Sequence, residues 1–264
     1  MRRVARIEGR MLEARDDALA VERALEIRVA ARALSVTLRT PGHDEELATG
    51  FLAGEGLIGG AADVAEVRVL PATCGDQPDV VDLTLAPRVK LDWTRFERHF
   101  AGTAACGLCG RAHLESLRAG LTPIDAGARF DPELLALLPR RVREVQEAFE
   151  RTGGLHAAAW CDAGLVARVV REDVGRHNAV DKVAGWLLAH ERYPANEGLL
   201  WVSGRAGAEI VLKAARARIP MLAAIGAASS LAVQLAEAAR MTLVGFLRDG
   251  RMTVYCGEER LTVE

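Results

Sequence analysis

Lysine is nearly missing from this sequence. Of 34 basic side chains only Lys90, Lys182 and Lys213 are lysines, and the rest are arginines. Arginine suits the flat, bidentate geometry of phosphate, but an excess spread along the whole chain also fits codon usage and argues nothing by itself. Charge of one sign is missing too: the formal net charge is −2 at neutral pH. Neither nucleic acid nor an anionic membrane is drawn to the molecule as a whole, so any anion site has to be local. No stretch approaches the ~18 apolar residues of a membrane span. The basic start, Met1-Arg2-Arg3-Val4-Ala5-Arg6, runs into Glu8, Arg10 and Glu13 instead of an apolar segment. No secretory leader is therefore expected, and the protein is expected in the cytoplasm. Five cysteines are an odd number, in a compartment that keeps thiols reduced, which disfavours a disulfide framework. Neither a Walker A lysine motif nor GxGxxG occurs, which disfavours ordinary ATP and NAD sites. What remains is a 264-residue chain, half hydrophobic and 27% charged, long enough for one large globular domain or two modest ones.

The first third reads as short strands with one helix. Residues 18–29 and 33–40 carry β-branched side chains and stop at Pro41-Gly42; residues 44–58 are helical, with Asp44, Glu45 and Glu46 in the first turn, where the helix dipole favours acids. Residues 67–70, 80–85 and 89–93 read as further strands. Between 100 and 130 the periodicity is lost to Gly102, Gly107, Gly110, Gly120, Gly127 and Pro123, and so long a connection is usually functional. From Pro132 a regular pattern sets in: helix 134–151, strands 155–161 and 165–170, helix 178–190, strand 199–203, helix 208–218, strand 221–225, helix 229–240, strand 243–246, and a short strand 252–255. The alternation predicts a layered α/β unit on a largely parallel sheet. The overall class is then α+β: a smaller strand-rich mixed domain over 1–105, a mobile connecting loop over 106–131, and the α/β domain over 132–264.

Cys106-Gly107-Leu108-Cys109-Gly110 is the sharpest chemical feature. Two thiols at this spacing can form a disulfide, share a metal, or act as nucleophile and partner. The glycines let the backbone turn tightly, and Arg111 adds a positive charge that favours the thiolate. A structural zinc site wants four ligands; Cys74, Cys161 and Cys256 are scattered and form no second pair, His113 offers a third ligand at most, and no resident metal is expected. A thioredoxin-like dithiol should follow a first strand and open a helix, whereas this pair lies in a glycine-punctuated segment. Zinc, dithiol, inert loop and sulfur relay all stay open on these residues alone. Cys161, in an apolar run, reads as a packing cysteine.

Beyond strands, two segments suit an anion. Ser203-Gly204-Arg205 and Gly226-Ala227-Ala228-Ser229-Ser230 each follow a strand and open a helix, where free amides bind phosphates and ligands of α/β sheets collect. Helix capping explains Ser229 and Ser230 equally well. Arg248 and Arg251 flank Asp249-Gly250, a hairpin-turn signal. Asp173, Arg176 and His177 lie between a strand and a helix, and fit either a ligand pocket or a structural ion network.

Several segments taken together resemble the formate dehydrogenase accessory sulfurtransferase family, FdhD: Glu45-Glu46-Leu47-Ala48-Thr49-Gly50-Phe51-Leu52 with Glu55-Gly56, the Cys106–Gly110 pair, Thr152-Gly153-Gly154-Leu155-His156, the run from Arg171 to Lys182, Ser203-Gly204-Arg205, and Ala228-Ser229-Ser230 through Arg248. The resemblance implies a sulfurtransferase that accepts persulfide sulfur from a cysteine desulfurase and passes it to the molybdenum bis(guanine dinucleotide) cofactor, bound as substrate, for formate dehydrogenase. It implies the persulfide on Cys106, with Cys109 as its partner. It places the nucleotide on Phe246, Leu247, Arg248, Asp249, Gly250 and Arg251, and implies a cytidine deaminase-like C-terminal fold. The expected partners are the desulfurase, formate dehydrogenase and a second copy of the chain as a homodimer, with no nucleic acid and no membrane. A cofactor-binding chaperone without sulfur chemistry is the alternative. Two departures from the family pattern, Ala104-Ala105 before the pair and Arg111 after it, remove no sulfur atom. Deaminase chemistry does not carry over with the fold, because His156-Ala157-Ala158 lacks the glutamate that zinc deaminases require.

Overall fold

A computed structural model of the chain describes residues 1–73, 77–93, 120–125 and 128–262. Strands β1 (Arg2–Glu8) and β2 (Met11–Asp17) form a separate antiparallel hairpin. It was not anticipated from the sequence, because its residues face solvent throughout and show no one-sided burial pattern. Strands β3 (Arg23–Val29), β4 (Arg32–Arg39), β5 (Val64–Leu70) and β6 (Asp79–Leu85) make a four-stranded sheet in the order β4-β3-β6-β5. In β3 the alternation is plain: Leu25, Ile27 and Val29 point inward against helix α1 (Asp44–Gly54).

The remaining elements are helices α2 (Pro132–Arg143) and α3 (Glu147–Thr152), strands β7 (His156–Asp162) and β8 (Ala167–Asp173), helix α4 (Arg176–Ala189), strand β9 (Gly198–Val202), helix α5 (Ala208–Arg216), strand β10 (Met221–Ala224), helix α6 (Ser230–Ala238), and strands β11 (Thr242–Arg248) and β12 (Arg251–Cys256). The six strands form one sheet, ordered β12-β11-β10-β9-β7-β8. Helices α4, α5 and α6 cover one face around Trp160, Val183, Ile210 and Leu235. Helix α2 covers the other, with Leu135, Leu138 and Val142 against Trp201 and Val244. The mixed α/β class is as expected, and no described helix is long and apolar enough to cross a membrane.

Two expectations are corrected. The six-stranded sheet is mixed: β9-β10 and β10-β11 are parallel, while β7-β9, β7-β8 and β11-β12 are antiparallel. Apolar periodicity reports which face is buried but not strand direction. The helix expected over 134–151 is two helices, because the carboxylate of Glu172 on β8 accepts from the N–H groups of Ala148 and Phe149 at 3.0 and 2.7 Å. A carboxylate distant in sequence thus caps a new helix start.

The two sheets are locked together through α1 and α4. A Cβ on Gly50 would collide with the Asp181 carbonyl, and one on Gly185 with the Glu46 carbonyl, so the helices touch backbone to backbone. Around this crossing Arg171 grips the Glu46 carboxylate at 2.6 and 2.8 Å. Lys213 holds the buried Asp181 at 2.7 and 2.9 Å. Asp173, with no exposed surface, receives Lys182 Nζ at 2.7 Å and the Thr40 N–H at 3.1 Å.

Candidate functional site

The carboxyl ends of β9 and β10 lie at the sheet edge where β7 begins, and the chain crosses that edge on small residues. Phe246 N–H donates to the Gly226 carbonyl at 3.1 Å, and Gly226 N–H donates to the Gly204 carbonyl at 2.9 Å. Ser203 N–H donates to the Ala157 carbonyl, while Ser203 Oγ accepts from the Ala157 N–H, both at 2.9 Å. Four neighbouring strand ends thereby present His156, Gly204, Gly226 and Phe246 in a row. At Gly226 a Cβ would stand 3.0 Å from the Gly204 carbonyl oxygen, so a larger residue there would force the neighbouring chain to give. At Gly204 a Cβ would lie in ordinary van der Waals contact, 3.7 Å from His156 Nδ1 and 3.8 Å from Arg176 Cδ.

The electrostatics of this shelf are local and positive. Helices α4, α5 and α6 all begin along it, at Gly175, Gly207 and Ser229, and their free N–H groups favour an anion. Arg176, Arg205, Arg248 and Arg251 are exposed and form no ion pair among the described residues. Burial, and then the nearby Arg176 charge, hold His156 below the ordinary histidine value. Burial likewise lowers His177, opposed by Glu209, whose carboxylate lies 2.9 Å from His177 Nε2.

The sequence-predicted residues meet different fates. Ser203, Gly204 and Arg205 lie on the shelf. Ser229 caps α6 through its hydroxyl, which accepts from Ala232 N–H at 3.2 Å; Ser230 is the exposed first residue of that helix. Phe246 is 41% exposed with φ of 51°, so its ring stands out from the edge. Leu247 is fully buried in the core beneath α2, which leaves only its backbone for a ligand. Strand β11 runs on from Val244, which pairs with Ala223 of β10, to Arg248. There Asp249 and Gly250, both at positive φ, make the tight turn that a two-residue hairpin demands. Arg248 and Arg251 face each other across the turn; like charges so placed repel, and a bound anion would relieve them. Asp173 belongs to the buried ion network of the seam, Arg176 reaches Gly204 on the shelf, and His177 turns to Glu209 in the first turn of α5. His156 joins the candidate shelf without a signal in the sequence, where its only context is the absence of a zinc-deaminase glutamate two residues on.

Cys106 and Cys109 lie outside the described residues, as does Cys74. The described cysteines are poor nucleophiles: burial pushes Cys161 up to about 12 and Cys256 up to about 11. Two clefts of about 470 and 540 Å³ open at the opposite edge of the sheet, near Met241 and Glu197, away from the shelf.

Residues 20–262 match the protein-family model of the FdhD/NarQ family. The chain belongs to the FdhD/NarQ family. It is 46% identical to the sulfur carrier protein FdhD of Mycolicibacterium paratuberculosis, over 98% of this chain and 97% of that protein. It is 47% identical to the sulfur carrier protein FdhD of Nocardia farcinica, over 98% and 94%. Among solved structures, a Desulfotalea psychrophila protein assigned as a formate dehydrogenase accessory protein superposes with a TM-score of 0.79 at 25% identity, covering 99% of this chain and 98% of that one. The fold of this FdhD/NarQ member is thus shared essentially end to end with that protein.

Proposed function

We propose that this FdhD/NarQ member is a sulfur carrier that takes persulfide sulfur from a cysteine desulfurase onto Cys106. It delivers that sulfur to the molybdenum bis(guanine dinucleotide) cofactor for formate dehydrogenase, in the cytoplasm and as a homodimer. The observation that carries the reading is the full-length match to relatives named as sulfur carriers. The shelf supports the cargo: a pyrophosphate-bearing substrate needs amide donors and uncommitted guanidinium groups, and the helix starts at Gly175, Gly207 and Ser229 with Arg205, Arg248 and Arg251 supply that chemistry.

The Cys106 thiolate attacks the outer sulfur of the desulfurase persulfide, and the desulfurase thiolate leaves. Attack by Cys109 on the inner sulfur of the Cys106 persulfide then frees hydrosulfide and leaves a Cys106–Cys109 disulfide, so atoms and electrons balance. After incubation with desulfurase and cysteine, mass spectrometry is expected to find added sulfur on Cys106 of the wild type and none on Cys106→Ala. Equal loading of the variant would overturn the assignment. Formate dehydrogenase activation that survives Cys106→Ala would mean a cofactor chaperone instead.

A further inference from the structure

We infer that the amino-terminal hairpin is a dimer contact, in which strand β2 pairs antiparallel with β2 of a second copy about a two-fold axis at Ala14. This rests on the homodimer reading above and adds to it the element, the edge and the register.

The hairpin is poorly supported within its own chain. A two-stranded hairpin in water is marginally stable at best. Among the described residues β1 and β2 join no other sheet and make no substantial contact with another element. Ile7, Met11 and Leu12 are 68%, 73% and 69% exposed, so its apolar side chains stand in water. Both strand edges are open, and an open edge is a template for another chain.

The turn decides which backbone groups point outward. Gly9 has φ of 63°, Arg10 does not share its positive φ, and Glu8 pairs with Met11, which is a two-residue turn with glycine at its first position. The closing pair of such a turn exchanges both backbone hydrogen bonds, and bonded pairs alternate along the ladder. Glu8–Met11, Arg6–Glu13 and Val4–Arg15 therefore bond inward. Leu12, Ala14 and Asp16 turn their N–H and C=O groups to the open edge of β2.

Three ways of joining open edges compete. Strand β1 of one copy on β2 of the next leaves an edge free at each end and grows into a filament. Strand β1 on its own copy unites two strands that each carry Arg2, Arg3 and Arg6, and its attractive opposition, Arg2 with Glu8 of the partner subunit, falls at the strand ends. Strand β2 on its own copy closes the assembly at two chains. With Ala14 opposite the partner's Ala14, all seven residues overlap and Glu13 lies opposite Arg15 of the partner subunit, twice by symmetry. These are non-hydrogen-bonded sites, where facing side chains come closest, and opposite charges there attract. Moving the axis to residue 13 or 15 sets Glu13 or Arg15 against its own copy, and like charges so placed repel. In the Ala14 register Glu13 stands between Arg6 of its own hairpin and the partner's Arg15. Ala5, Ile7, Leu12 and Ala14 of both copies then share one face of a four-stranded sheet. A single strand pair is a small interface, so the dimer is expected to come apart on dilution.

The test uses the full chain. Sedimentation at several concentrations is expected to show a monomer–dimer equilibrium for the wild type. Arg15→Glu is expected to raise the dimer dissociation constant about tenfold, because two attractive oppositions become repulsive, while Arg15→Lys stays close to the wild type. Arg15 faces the uncharged Val4 within its own hairpin, so the change leaves that pairing alone. On mild oxidation Ala14→Cys is expected to give a disulfide-linked dimer, because facing hydrogen-bonded residues hold their Cα atoms about 5.5 Å apart. Ala5→Cys is expected to give none, since the two copies of that position lie roughly 14 Å apart across three strand spacings. The wild type, treated alike, supplies the background from its native cysteines. Failure of Ala14→Cys to cross-link above that background, or an Arg15→Glu dimer as tight as the wild type, would overturn the assignment and leave the homodimer standing. A wild type that stays monomeric at every concentration would sink the homodimer reading itself, and this contact with it.

Discussion

At the scale of single residues, the scarcity of lysine acquires a meaning in the seam. Lys182 and Lys213 are almost fully buried, and each neutralises a buried aspartate, Asp173 and Asp181. A compact ammonium fits there, where a planar guanidinium would need more room. Lys182→Met leaves Asp173 charged and enclosed, and is expected to cost about 3–5 kcal/mol in denaturant unfolding. Adding Asp173→Asn should restore part of that loss. The run from Arg171 to Lys182 was legible as a signature, but its purpose was not, because its partners Thr40 and Glu46 lie far away in sequence. His156 yields a prediction about pH. Its pKa in the fold is depressed below 6.5, so the neutral form is the one the fold prefers. Its contribution is complete above that value and is lost as pH falls, since the unfolded chain takes up the proton first. Melting temperatures measured from about pH 7 to 5 should therefore fall less steeply in His156→Gln than in the wild type.

At the scale of elements, the crossing of α1 and α4 reverses the ordinary rule for glycine in helices. An exposed helical glycine is about 1 kcal/mol worse than alanine, so Gly→Ala normally stabilises. At Gly185 the added methyl meets the Glu46 carbonyl, and Gly185→Ala is expected to destabilise by about 1–3 kcal/mol or more, as overpacked cores do. A lower denaturation midpoint with an unchanged slope would register this. The elements from 155 onward were legible because short apolar runs such as β9 and β10, buried throughout, alternate with segments of helical length. The sense of each strand pairing and the Glu172 cap on α3 were not, since both depend on hydrogen bonds between segments remote in sequence.

For the whole molecule, a net charge of −2 coexists with a cationic shelf. Binding of guanosine diphosphate should therefore weaken as salt rises from about 0.05 to 0.5 M, because exposed guanidinium groups are screened within roughly a Debye length. Titrations at several salt concentrations check this, and salt-independent binding would argue for a buried site elsewhere. The shelf itself was half legible: glycines and hydroxyls after strands flagged two of its strand ends and Arg176 was open between a pocket and an ion network, whereas His156 joins it only because β7 lies next to β9.

The place where the seam ends has a further consequence. The same Asp173 carboxylate that anchors Lys182 and Thr40 also receives the Gly175 N–H at 2.9 Å, one residue before Arg176. Loosening the amino-terminal lobe would therefore tilt the first turn of α4, and Arg176 with it. Heat or a lesion near Thr40 would disturb this end of the shelf while the central sheet stays intact, and genetic mapping would score a remote change as a defect of the shelf itself.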